Sequence, residues 1–199
     1  MPSTGTTGGP RYWWGEAPQT FQGALNADTD LVTVTIGGND VGLIPVMIRC
    51  SLTPTVPCED PDMPLRIQER AAQLYRTYSA IAAKAPNARI IVLGYPRLFN
   101  PSRLCLGAAG IDPWEAEWLN DMGDLLNLEI SDAVGRVRSL EGRNIVFVDP
   151  NPRFEGHRVC EDDPYLRGAT TSGGVASNAS YHPTFLGHAA YAALVEENM

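Results

Sequence analysis

Two residues in this sequence have a type and a setting suited to proton transfer and charge stabilisation at a carbonyl centre. Asn39 closes the run Thr35-Ile36-Gly37-Gly38-Asn39-Asp40. A side-chain amide fixed in a glycine-rich turn can donate a hydrogen bond to a developing oxyanion, and losing one such donor costs about 10²–10³ in rate. His182 stands in Ser180-Tyr181-His182-Pro183-Thr184, on a turn just before a helical pattern. A general base needs such fixed placement, and imidazole is the usual proton acceptor at physiological pH. Each has a plainer reading as well. Asn-Asp commonly ends a strand in a turn, and a histidine at a helix start often only caps it or lies on the surface. His188 falls six residues later inside the helical pattern and reads as structural. His157, beside Cys160, reads as a loop-packing residue.

Three short apolar runs must position these groups. Leu31–Ile36 ends at Gly37-Gly38-Asn39-Asp40, Ala88–Leu93 at Gly94-Tyr95-Pro96, and Ile145–Val148 at Asp149-Pro150. β-Branched runs without strict alternation suit strands covered on both faces of a parallel sheet. Helical periodicity fills the intervals: Pro64–Ala85, then Pro113–Leu140 with Pro113 suited to a first turn. Thr184–Asn198 follows, with Thr184 as its cap. Alternating strand and helix predicts an α/β, doubly wound domain over residues 21–199, with residues 1–20 an irregular Gly/Thr/Pro lead. Sites in such sheets lie at the carboxyl ends of strands, where the GGND turn falls.

Composition narrows the function classes. The 199 residues are 44% hydrophobic, with a formal net charge of -8 and a pI near 4.8. That acidity argues against nucleic acid or an anionic membrane as the main partner. No apolar run approaches the roughly 18 residues of a membrane span. Cys50, Cys58, Cys105 and Cys160 form no CxxC pair and have no histidine at zinc-finger spacing. Their even number and loop setting predict two disulfides and an oxidising compartment, with all three pairings open. Yet the opening residues lack a basic segment followed by an apolar one, so the chain is expected to begin inside a longer, exported protein.

TDLVTVTIGGNDVG and SYHPTFLGHAAYA resemble the third and fifth conserved blocks of the SGNH (GDSL) hydrolases. VLGYPRLF, FEGHRVCEDDPYL and the cysteine spacing are similar to the secreted actinobacterial esterase and lipase branch. The resemblance implies a three-layer, flavodoxin-like fold and a carboxylic ester hydrolase acting by Ser–His acyl transfer. It needs no cofactor or metal, acts on a small-molecule or lipid ester, and is expected to be an extracellular monomer. By that resemblance Asn39 is the oxyanion donor and His182 the base.

The departures are specific. No Gly-Asp-Ser and no GxSxG elbow occurs among the nine serines. The first two blocks, with the nucleophile, the block II glycine and the first strands, are therefore expected to lie outside this sequence. Ala179 stands where a carboxylate usually orients the base, so its main-chain carbonyl, or neighbouring Asn178, is expected to serve instead. Hydrolysis by these residues alone is accordingly in question, and the alternative is an inactive remnant or ligand-binding protein of the same fold. Trp13-Trp14 would then be a detached piece of core rather than a carbohydrate contact. An uncovered Leu31–Ile36 edge would favour aggregation or a molten state.

Overall fold

A computed structural model describes residues 19–52, 58–172, 175–176 and 179–199. Three strands, β1 (Leu31–Val34), β2 (Arg89–Leu93) and β3 (Ile145–Val148), form a parallel sheet in the order β1-β2-β3. Leu31 pairs with Arg89, and Ile90 with Ile145. Parallel neighbours need long crossovers. These carry α1 (Leu43–Leu52) and α2 (Met63–Lys84) between β1 and β2, and α3 (Pro113–Glu141) between β2 and β3. After β3 come α4 (Asn151–Phe154), a short antiparallel pair of β4 (Thr171–Ser172) with β5 (Val175–Ala176), and α5 (Phe185–Glu196).

Side chains alternate across a strand, and β2 uses both faces. Ile90 and Val92 join Ile145 and the buried stripes of α2 and α3, including Ile67, Leu126 and Ile130. Ile91 and Leu93 join Val148 and Leu194 of α5 on the other face. The sheet thus lies between helical layers. Each such aliphatic side chain contributes roughly 1.5–3 kcal/mol on full burial.

Local chemistry sets the helix bounds. Asp112 and Glu115 form a reciprocal capping box at the start of α3, and left-handed Gly142 ends it. Thr184 caps α5, its side chain accepting the Gly187 N–H at 3.2 Å.

One expectation changes, and one helix is new. β1 is not covered on both faces: Leu31 and Thr33 are exposed while Val32 and Val34 are half-buried, because β1 ends the sheet among the described residues and α5 packs on Ile91 and Leu93 instead. α1 had no forecast, since Pro45 interrupts its short apolar pattern. Within a first helical turn that proline removes no needed hydrogen bond, and Val46, Met47 and Cys50 are buried.

The cysteines pair Cys50–Cys58 and Cys105–Cys160, leaving none free. The forecasts for residues 1–18, Trp13-Trp14 among them, and for Asn178 lie outside the described residues. No helix among the described residues is long and apolar enough to cross a membrane.

Candidate active site

Asn39 and His182, 143 positions apart in the chain, line one cavity of about 460 Å³. It opens at the carboxyl ends of β1 and β2. Asn39 comes from the turn that leaves β1, where Gly37 has φ +119°, a conformation that favours glycine. Local bonds fold that turn: Val41 N–H donates to Gly37 O, and Leu43 N–H to Gly38 O, both at 3.2 Å. Asn39 is exposed, and its side-chain amide makes no hydrogen bond among the described residues.

His182 reaches the cavity from the opposite side. Its backbone carbonyl accepts the Arg167 N–H at 2.9 Å, Leu166 bridges to Pro183, and Thr184 N–H donates to Tyr165 O at 2.8 Å. This three-residue ladder ties the His182 turn to the preceding loop. Tyr181 sits at φ +61°, a strained conformation for a bulky residue that is held only where its surroundings over-determine it. Its ring meets Phe99 edge-on at 5.7 Å, and its hydroxyl lies 3.4 Å from Ser51 Oγ.

The carbonyl that contacts the imidazole is Ser180 O, 3.0 Å from Nδ1. Ala179 O, the expected partner, instead accepts the His182 backbone N–H at 3.3 Å and closes the turn. With Nδ1 donating to that carbonyl, Nε2 carries the lone pair. Nε2 makes no hydrogen bond among the described residues. Ser180, the serine nearest in sequence, has its hydroxyl engaged with Thr170, donating to O at 3.1 Å and accepting from N at 3.0 Å.

The walls are mainly apolar, with Leu43, Ile44 and Met47 from α1 and Leu98 and Leu166 from the loops. Tyr95, Tyr181 and Tyr191 add phenols that burial pushes above the ordinary tyrosine range, so they stay neutral at physiological pH. His188 also faces this cavity and is exposed. His157 instead stacks on Tyr165 at 4.0 Å, with Nδ1 near the carbonyls of Asp162 and Asp163. A larger, more open depression of about 610 Å³ lies along α3 and β3. It is lined by Arg136 and Arg138 but brings together no imidazole and amide. Among the described residues, the one group placed to hold a metal is Cys50, Cys58 and Glu115, and its sulfurs are bonded to each other.

An unbonded imidazole nitrogen and a free amide facing one apolar cleft can accept a proton and hold an oxyanion on the same ligand. The profile of the GDSL-like Lipase/Acylhydrolase family matches residues 4–190. This chain is a member of that family. A lipase of Streptomyces rimosus is 35% identical over 163 residues, covering 80% of this chain. The chain spans 56% of that curated relative's length. Among solved structures, phospholipase A1 from Streptomyces albidoflavus has a TM-score of 0.70 at 31% identity, covering 91% of this chain and 73% of its own. The extracellular lipase from Streptomyces rimosus has a TM-score of 0.68 at 30% identity, covering 88% and 71%. The parallel sheet with flanking helices is therefore the fold of these GDSL-type lipases.

Sequence reasoning did not find Ser180 O, Tyr181, Tyr95 or the placement of His188. Gly94-Tyr95-Pro96 at the end of β2 held the one available signal, a tyrosine at a strand's carboxyl end beside a chain reversal.

Proposed function

We propose that this chain is a carboxylic ester hydrolase of the esterase or lipase type, with His182 as general base and Asn39 as oxyanion donor. The observation that carries this reading is the convergence of the two side chains on one apolar cleft. A serine hydroxyl approaching Nε2 would lose its proton to His182 as its oxygen bonds the ester carbonyl carbon. The carbonyl electrons move to oxygen, and the Asn39 amide N–H donates a hydrogen bond to the oxyanion so formed. Collapse expels the alcohol, which takes the proton back from His182, and water repeats the cycle to release the acid. Ser180 O, rather than a carboxylate, would fix the imidazole tautomer.

The lining of Leu43, Ile44 and Met47 suits an acyl chain. The two disulfides, together with the relative described as extracellular, support export, and we take the working unit to be one monomeric domain over residues 21–199. A second reading, a ligand-binding protein without turnover, is favoured by the lack of a serine hydroxyl at Nε2 among the described residues. Ser3, Ser177 and the side chain of Ser172 fall outside them. Hydrolysis of p-nitrophenyl butyrate by the chain and by His182→Ala separates the readings. Rate lost with His182 supports the hydrolase; butyrate binding with no His182-dependent turnover supports the second.

A further inference from the structure

We infer that Tyr95 is the positioning residue of the oxyanion turn, its hydroxyl fixing Gly38 and through it the neighbouring side chain of Asn39. This rests on the reading of Asn39 as oxyanion donor.

The Gly38 N–H donates to Tyr95 Oη at 3.0 Å, across 57 residues of sequence. The ring lies directly against Gly38. A Cβ there would stand 3.2 Å from Cε1 and Cζ and 3.3 Å from Oη. A side chain at this position would thus press on the phenol beneath it, although the backbone there is not left-handed.

The phenol is itself held from two helices. From α3, buried Asn127 grips the Tyr95 backbone on both sides: Oδ1 accepts the Tyr95 N–H at 2.8 Å, and Nδ2 donates to Tyr95 O at 2.7 Å. From α5, Tyr191 Oη donates to Gly94 O at 3.0 Å. A Cβ at Gly94 would lie 2.7 Å from Asn127 Oδ1 and 2.9 Å from Phe147 Cζ, so a side chain there would displace this grip.

The turn has no such support of its own. Its internal bonds join residues three to five apart, and Arg66 Nε holds only its far end, at Val41 O. Tyr95 Oη is therefore the anchor next to Asn39 that comes from the sheet core. An amide shifted by about 1 Å from its productive position can cost on the order of 10² in rate, whereas one hydrogen bond changes folding only modestly. Burial holds the phenol neutral, so the oxygen keeps this role at physiological pH.

Tyr95→Phe keeps the ring and removes only the oxygen. The full chain, Tyr95→Phe and Asn39→Ala are compared by ¹H–¹⁵N spectra, hydrogen exchange and p-nitrophenyl butyrate kinetics. In Tyr95→Phe the Gly38 amide should exchange about fivefold faster. The Asn39 side-chain resonances should move although the Tyr95 hydroxyl is bonded to Gly38 and not to Asn39, and kcat should fall about tenfold with KM within twofold. Unchanged Asn39 resonances and kcat in Tyr95→Phe, with Asn39→Ala impaired, overturn the role of Tyr95 and leave that of Asn39 standing. Asn39→Ala matching the parent overturns the reading of Asn39, and this inference with it. Should Tyr95→Phe fail to fold, the parent alone decides: Gly38 must exchange well below the rate of an unprotected amide, and exchange at the free rate overturns the anchor.

Discussion

His182 Nδ1 lies 3.0 Å from the carbonyl oxygen of Ser180, only two residues before it in the chain. The contact exists because the backbone reverses through left-handed Tyr181, which aims the preceding carbonyl back at the imidazole. A neutral carbonyl fixes the tautomer as a carboxylate would, but it stabilises an imidazolium less. The orientation of the base therefore depends on the turn more than on charge, and the supports of that turn are where substitutions should be felt.

Gly187 is one such support. A Cβ there would stand 2.0 Å from Tyr165 O, the same oxygen that accepts the Thr184 N–H. Gly187→Ala must push α5 away from the loop that carries the His182 ladder. Overpacking of this kind costs about 1–3 kcal/mol. Thermal unfolding should show a drop of several degrees, with ester hydrolysis reduced as well.

Tyr181→Gly separates strain from anchoring. Glycine relieves a left-handed cost of roughly 1–2 kcal/mol but loses the edge-on contact with Phe99, worth about 0.5–1.5 kcal/mol. The melting temperature should move little. Without the phenol against Phe99 and Ser51 the turn loosens, and kcat should fall about tenfold. An unaltered kcat would remove Tyr181 from the account of how the base is held.

The disulfides differ in reach and exposure. Cys50 and Cys58 are fully buried, whereas Cys105 is exposed, so mild reductant should open Cys105–Cys160 first. That bridge spans 55 residues and the other 8. Loop-closure entropy then assigns about 4 kcal/mol to the longer and about 2.5 kcal/mol to the shorter. Stepwise reduction followed by denaturant unfolding should reproduce that order. Gly107 O accepts the Ala169 N–H at 2.8 Å beside this bridge, which carries any loosening toward Arg167 and His182.

Much of this was legible in the sequence, for stated reasons. Ile145–Val148 and the helix starting at Pro113 appeared where their patterns put them, because long periodic stripes and a proline after a capping aspartate are strong local signals. Asn39 and His182 stood out because glycines and a proline framed them. α1 was hidden because ten residues with an internal proline carry little periodicity. Ser180 O was missed because it depends on the sign of one backbone angle at a tyrosine, which composition does not encode. The partnership of Tyr95 with Gly38 joins two strand ends, and only the packed sheet brings them together.

Hydrolysis of p-nitrophenyl butyrate by the 199-residue chain, measured beside His182→Ala and Asn39→Ala, tests the central claim most directly. Catalysis that survives loss of the nucleophile comes from the oxyanion hole and binding alone, so a rate that depends on His182 reports a serine that reaches Nε2. The account predicts a rate above the uncatalysed one that falls by about 10²–10⁴ in His182→Ala and about 10²–10³ in Asn39→Ala, with both variants still folded. A rate indifferent to both substitutions, or no rate above background, would contradict it.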